Sequence, residues 1–355
     1  MTKAIERRTL MKAALGAGLV LPFMSPGRLL AASPHDEILR HVHPEFRDFM
    51  ARVLPILDKS PKASRENLPQ MRVPNTLMGK PLPDVTVRKQ QIPGTKGQPE
   101  VTIYVINAGA QGSRPAILHT HGGGYVAGSA ASSVRQMQDI CRALDCVAVT
   151  VEYRLAPETT YKGSIEDNYA GLKWLYDNAA QLGVDPRRIG LLGESAGGGH
   201  AALLAITARD RGEVPVAFQC LIYPMLDDRT GSTRSVPPFV GQIVWNAEAN
   251  RFGWESFLGM KPGGASAPKR AVPARQDNLA GLPPAFIGVG SIDLFCDEDV
   301  DYAQRLNAAG VPTELIVVPG GFHGFDVMPV KTRVGTWFNE AKMAALRSGL
   351  GISAA

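Results

Sequence analysis

From residue 84 onward the chain alternates between short, continuously apolar runs and longer stretches with helical spacing. Segments 84–92 and 100–106 have period-two stretches rich in Val and Ile, separated by Pro93-Gly94 and Gly97, which predicts a hairpin. Six runs then carry apolar residues without alternation, at 115–118, 147–151, 189–192, 218–222, 285–289 and 314–318. A strand covered on both faces has that pattern, whereas a strand with one wet face alternates. Between them, apolar positions at helical spacing predict helices over 132–144, 165–181, 196–211, 298–309 and 334–346. Asp185-Pro186 and Gly310-Val311-Pro312 punctuate two of the returns. Antiparallel strands first and βαβ units afterwards imply an α/β fold: an eight-stranded, mostly parallel sheet with helices on both faces.

Two segments stand outside this rhythm. Residues 33–83 begin with helical spacing and then carry Pro55, Pro61, Pro69 and Pro74, while residues 225–275 place Trp245, Phe252, Trp254 and Phe257 among Gly and Pro. Both are too apolar for linkers. They are predicted as two parts of a helical cap over the C-terminal edge of the sheet, with the aromatics read first as cap core. The expected division is 1–32, 33–83 (N-terminal cap segment), 84–224 (first part of the core), 225–275 (cap insertion) and 276–355 (second part of the core).

Composition adds two constraints. Hydrophobic residues make up 45% of the 355 and charged residues 20%, enough apolar material for a packed interior and against global disorder. The net charge of +5 is concentrated at the start: Lys3, Arg7, Arg8, Lys12 and Arg28 face only Glu6, so residues 1–32 account for four of the five net charges. The rest is nearly neutral, which gives no support for nucleic-acid binding.

Residues 1–32 read as a leader. A basic head is followed by an uncharged stretch, 13–27, of 15 residues, short of the ~20 that a spanning helix needs, so no stable membrane span is expected. Arg7-Arg8 followed by Thr9, Leu10, Met11 and Lys12 resembles a twin-arginine export signal, with Glu6 in place of the usual Ser or Thr. The expectation is passage through the twin-arginine machinery, removal of the leader near Ala31-Ala32, and a periplasmic or secreted protein. Cys141, Cys146, Cys220 and Cys296 form no zinc-like pair. Buried free thiols are the first reading, and the spacing leaves room for a Cys141–Cys146 bridge.

The chemistry is concentrated in four places. The run 189–192 leads into Gly193-Glu194-Ser195-Ala196-Gly197 and then a helical pattern, a G-x-S-x-G sequence in a strand–turn–helix setting. So sharp a turn needs glycines where neighbouring backbone leaves no room for a Cβ, and it lifts Ser195 toward a helix N-terminus that favours a developing anion. After the run 115–118 comes His121-Gly122-Gly123-Gly124-Tyr125. The backbone N–H groups of Gly123 and Gly124, with that of Ala196, suit an oxyanion hole for acyl transfer. The rival reading, phosphate binding, lacks the Lys-Ser/Thr and the G-x-G-x-x-G spacing. A serine nucleophile needs a base and an orienting acid. Asp293 follows the run 285–289, and His323 follows the run 314–318, so both are expected on loops at strand ends near Ser195. Asp293 also reads as a helix N-cap. His119 and His121, two apart, read as structural histidines; no further ligands that would complete a metal site lie nearby. His200 is expected on the helix surface or behind the nucleophile.

Together these motifs resemble the hormone-sensitive-lipase-like branch of the α/β-hydrolases. The residues that carry the resemblance are His121 to Tyr125, Tyr153-Arg154-Leu155-Ala156-Pro157-Glu158, Gly193 to Gly198, Tyr223-Pro224 with Asp227, Asp293 with Asp297-Glu298, and His323-Gly324-Phe325. The resemblance covers roughly residues 84–349 and implies an α/β-hydrolase fold and hydrolysis of short- to medium-chain carboxylic esters by Ser195, Asp293 and His323. His121, Gly122, Gly193, Glu194 and Gly197 support the motifs. It implies no metal, no organic cofactor, a small-molecule ester substrate and a homodimer through an edge strand. A lactonase or acetyl-sugar esterase on the same scaffold is the enzymatic alternative. A non-catalytic ligand-binding relative is the other, although such proteins commonly lose the base that His323 provides here. Three positions depart from the pattern: Glu194 stands where the family has Asp, His200 where it often has Asn, and Leu294-Phe295-Cys296 follows Asp293 where Pro-Leu-x is common.

Overall fold

The computed structural model describes residues 34–73, 79–109 and 112–353. The leader read in residues 1–32 lies outside them. Among the described residues eight strands form one sheet: β1 (Val87–Ile92), β2 (Val101–Ile106), β3 (Arg114–Thr120), β4 (Val147–Glu152), β5 (Val184–Glu194), β6 (Phe218–Ile222), β7 (Ala285–Gly290) and β8 (Thr313–Val318). Their order is β1-β2-β4-β3-β5-β6-β7-β8. The β1/β2 and β2/β4 pairs are antiparallel and every other pair is parallel.

The helices are α1 (Pro34–His41), α2 (Pro44–Leu57), α3 (Leu68–Met71), α4 (Ala130–Leu144), α5 (Tyr161–Asp177), α6 (Ala179–Leu182), α7 (Ala196–Arg211), α8 (Ala247–Leu258), α9 (Cys296–Ala308) and α10 (Arg333–Gly349). Every residue of β3, β6 and β7 is buried, while β1 at the sheet edge is exposed along most of its length. Alternate residues feed two separate cores. Leu118, Leu191, Leu221 and Ile287 pack with α5, α7 and α9 on one face; Ile117, Leu192, Cys220 and Phe286 pack with α2, α4 and α10 on the other. The apolar runs of the inner strands follow from this double burial. The run at 314–318, expected to be covered on both faces, is instead the edge strand β8, exposed at Glu314 and Val317 because no strand pairs beyond it.

Several boundaries differ from expectation. The helix expected over 165–181 begins at Tyr161 and breaks at Asn178, whose amide donates to the Trp174 carbonyl at 2.8 Å and ends α5 before the short α6. Strand β5 reaches back to Val184, across Asp185-Pro186, because β3 pairs with it on both sides of a register shift between Arg114 and Ala116. Helix α9 starts at Cys296, two residues early.

The two segments outside the βα rhythm join the same compact unit as the sheet, which runs from Pro34 onward. Phe46, Met50 and Leu54 of α2 enter the core on the α10 face, with Phe322, Phe325 and Phe338. Leu68 of α3 and Trp254, Phe257 and Leu258 of α8 instead form a third cluster with Tyr125, Ala196 and Leu294, residues flanking the strand ends. Arg72, just past α3, fastens this part: it donates to the Val126 and Ala156 carbonyls and pairs with Glu158. All four cysteines are free thiols, so Cys141 and Cys146 are not bridged.

Candidate active site

Ser195 occupies the turn between β5 and α7 with φ +58° and ψ −125°, a conformation that L residues adopt only under constraint. The constraints are visible. Its N–H donates to the Ile222 carbonyl at 2.9 Å, and its own carbonyl accepts from Gly199 and Met225, each at 3.0 Å. A Cβ at Gly193 would collide with the Gly197 carbonyl, and one at Gly197 with the Thr120 carbonyl. The Thr120 hydroxyl closes the bend by donating to the Gly197 carbonyl at 2.7 Å.

His323 and Asp293 come to Ser195 on the loops after β8 and β7. His323 Nε2 is 2.9 Å from Ser195 Oγ, and His323 Nδ1 is 2.9 Å from Asp293 Oδ2. A carboxylate can only accept, so Nδ1 carries the proton and Nε2 offers its lone pair to the serine hydroxyl. The other carboxylate oxygen of Asp293 accepts the Phe295 N–H at 3.0 Å. Asp293 therefore organises the turn into α9 and holds the imidazole at the same time, although α9 itself has no side-chain cap. The imidazole lies between Tyr223, 4.7 Å away, and an edge-on Phe295 at 5.3 Å. Ser195 is 9% and His323 6% exposed, so the chemistry is roofed over. A groove of about 950 Å³ elsewhere, lined by Gln98, Tyr161, Glu166, Lys173 and Arg211 among others, contains none of these three residues.

The glycine loop lies against the elbow. A Cβ on Gly122 would approach the Ser195 Cβ to 3.5 Å. Gly123, Gly124 and Tyr125 all have positive φ (+128°, +60° and +67°), and the turn is closed by Val126 and Ala127 donating to the Gly123 carbonyl. Tyr125 holds this unfavourable backbone through its hydroxyl, which donates to the Met225 carbonyl at 2.8 Å, and by stacking on Phe257. The Tyr153 hydroxyl donates to the His121 carbonyl at 2.6 Å, and its ring stacks on the His121 imidazole. The loop is thus held rigidly beside the first turn of α7, where Ala196 begins the helix. Backbone N–H groups fixed in this way can stabilise an oxyanion without reorganising.

Buried polar groups brace both turns. Glu194 accepts from Gln136 at 2.7 Å and is 3.0 Å from His119 Nε2, while His119 Nδ1 meets the Thr150 hydroxyl. Burial alone would raise the Glu194 carboxyl, but His119, Lys342 and Gln136 outweigh it and hold it below its ordinary value. His121 is lowered to about 4 and His200 to about 3, in both cases chiefly by burial, so both rings are neutral. His200 is not on the helix surface. It is 1% exposed and packed among Tyr125, Tyr153 and Phe257, because the glycine-rich start of α7 lets the helix press against the glycine loop.

Sequence reasoning missed Glu298 as a support. It is buried and accepts the N–H groups of Leu226 (2.6 Å) and Asp227 (3.1 Å), tying α9 to the loop whose Met225 holds Ser195. Burial and the nearby Asp227 push its carboxyl up, against the lowering effect of the two N–H groups it accepts. An acidic residue in the first turn of a helix gives no sign of that role.

A serine on a strand–turn–helix elbow, bonded to an imidazole and through it to a carboxylate, beside a rigid glycine loop at the C-terminal edge of a parallel sheet, is the arrangement of a serine hydrolase on an α/β scaffold. The chain belongs to the alpha/beta hydrolase fold family, whose profile matches residues 117–327. Carboxylesterase NlhH of Mycobacterium tuberculosis is 34% identical over 274 residues, 74% of this chain and 82% of the relative. The ethyl acetate hydrolase of Pseudomonas putida is 30% identical over 234 residues, covering 64% and 69%. Among solved structures, a bacterial heroin esterase superposes with a TM-score of 0.78 at 35% identity, over 88% of this chain and 99% of that one.

Proposed function

We propose that this protein is a serine carboxylesterase acting on short- to medium-chain esters. The observation that carries the reading is the unbroken hydrogen-bond chain from Ser195 Oγ through His323 to Asp293, with both links at 2.9 Å. His323 Nε2 takes the proton as Ser195 Oγ attacks the ester carbonyl, and Asp293 holds the imidazole in position and stabilises the imidazolium. The N–H groups of Gly123, Gly124 and Ala196 receive the oxyanion. The intermediate collapses, and the alcohol leaves with the proton from His323. Water, deprotonated by the same nitrogen, then hydrolyses the acyl-enzyme. Each oxyanion donor is worth on the order of 10²–10³ in rate. Ser195→Ala should abolish turnover of p-nitrophenyl acetate and butyrate, and unchanged turnover refutes the assignment.

Two further readings belong to the proposal. Arg7-Arg8 and the short apolar stretch after them support export by the twin-arginine route to the periplasm or beyond; replacing both arginines by lysine should leave the protein in the cytoplasm. Edge strand β8, with Leu315 and Ile316 half-buried and Val317 exposed, supports a homodimer formed along that edge, which sedimentation tests directly.

A further inference from the structure

Segment 239–245 runs as a strap from the acid loop to the glycine loop, and it is fastened along its length. Phe239 stacks on His41 with ring centroids 3.9 Å apart. Gly241 donates to the Ile292 carbonyl at 2.9 Å, and a Cβ there would strike Leu294, the residue after Asp293. Ile243 is buried with Tyr223, Ile292 and Phe322. At the far end the indole of Trp245 fills the space that a Cβ on Gly124 would take, and Gly253 of α8 approaches the same ring. Its Nε1–H donates to Asn250 Oδ1 at 3.2 Å, and the buried Asn250 donates in turn to the Thr230 carbonyl at 2.8 Å. Trp245 packs against the cluster that contains Ala196 and Leu294.

One residue of the strap is out of keeping with its side chain. Val244 has φ +67°, and the Trp245 N–H donates back to the Ile243 carbonyl at 2.8 Å, forming a tight three-residue turn. A β-branched residue avoids this region, and Val244 is 51% exposed, so its own packing does not offset the strain. What the turn accomplishes is the aim of the next side chain. Trp245 is delivered onto Gly124, half-buried, while the nearby Trp254 is fully buried as core.

We propose that Trp245 is the specificity-determining residue for the acyl group, forming the wall that limits its length. This rests on the esterase reading above. In the tetrahedral intermediate the oxyanion points to the N–H groups of Gly123, Gly124 and Ala196. The alcohol oxygen must face His323 Nε2, which protonates it. The acyl chain takes the remaining direction, away from His323 and along the glycine loop, whose flank Trp245 covers. A bulky wall there admits short chains and turns back long ones.

The test compares the wild type, Trp245→Ala and Trp245→Phe on p-nitrophenyl esters from acetyl to decanoyl. A second series holds the acyl group at acetyl and lengthens the alcohol. Fluorophosphonate labelling establishes that Ser195 is intact in each variant. In Trp245→Ala the ratio of kcat/KM for octanoate over butyrate should rise by about tenfold or more, and in Trp245→Phe by about threefold, with the alcohol series little changed. Should the alanine variant fail to fold, the phenylalanine variant decides alone, since it keeps a ring on Gly124. An unchanged acyl profile in a labelled, active variant overturns the proposal, whatever the overall rate; so does a shift confined to the alcohol series. A wild type that takes no label and turns over no ester overturns the esterase reading itself, a distinct result.

Discussion

Phe46 of α2 packs edge-on against Phe322, with ring centroids 5.4 Å apart, and Phe322 is the residue before His323. The same ring meets Phe325 at 6.3 Å, and the nearby His43 N–H donates to the Gly320 carbonyl at 2.9 Å. The N-terminal segment therefore holds the loop that delivers the imidazole, from both ends of that loop. Phe46 is fully buried, so Phe46→Ala should cost about 3–5 kcal/mol of stability. Because the vacated space lies directly behind the His323 loop, kcat should fall more than KM rises. Urea unfolding and steady-state kinetics on the same preparation check both.

The elbow separates two kinds of glycine. A Cβ at Gly197 would enter the Thr120 carbonyl and meet the His121 backbone, so Gly197→Ala must displace either the turn or the glycine loop. Activity should fall by at least about 10², the order of one lost oxyanion donor. Gly212 ends the same helix at φ +67° with open space around it. Gly212→Ala should cost only about 1 kcal/mol, from the left-handed backbone, and leave kcat unchanged. Kinetics and thermal unfolding of the pair distinguish close contact from backbone strain.

Acid stability should depend on His200. Its folded-state value, about 3, lies below the 6.5 of the unfolded chain, and burial is the main cause. The unfolded state therefore binds the extra proton as pH falls below about 6.5, and folding stability declines until the folded ring also titrates near 3. The slope from this one group is about 1.4 kcal/mol per pH unit at most. Glu298 and Asp299, raised by burial, act with the opposite sign, so the comparison must be made between variants. In His200→Asn, the loss of unfolding free energy between pH 6.5 and pH 4.5 should be shallower than in the wild type; equal slopes by urea titration contradict the account.

How much of this was legible in the chain follows from where the constraints lie. The inner strands could be read because burial on both faces leaves no polar side chain in runs such as 285–289, and burial is a property of each residue separately. Ser195, His323 and Asp293 could be proposed because glycines and strand ends mark the places where a side chain can be exposed at a turn. The start of α5 and its break at Asn178 could not, since Thr160 precedes the helix without a side-chain cap and Asn178 is an ordinary polar residue until its side chain meets the Trp174 carbonyl. Between the two places expected for His200 the sequence could not choose, because its burial is produced by the close approach of α7 to the glycine loop, a tertiary effect with no periodic signature. Trp245 and Trp254, nine positions apart, looked equivalent. What separates them is the positive φ of Val244, which no residue type would suggest.

The central claim is that Ser195 is a nucleophile activated by His323. The most direct test is mass spectrometry of the protein after exposure to a fluorophosphonate, in the wild type, Ser195→Ala and His323→Ala. The account predicts a single adduct on the Ser195 peptide of the wild type, none in Ser195→Ala, and labelling slowed by several orders of magnitude in His323→Ala, in line with the loss of a triad base. An adduct on another residue, or equal labelling rates with and without the His323 imidazole, would contradict it.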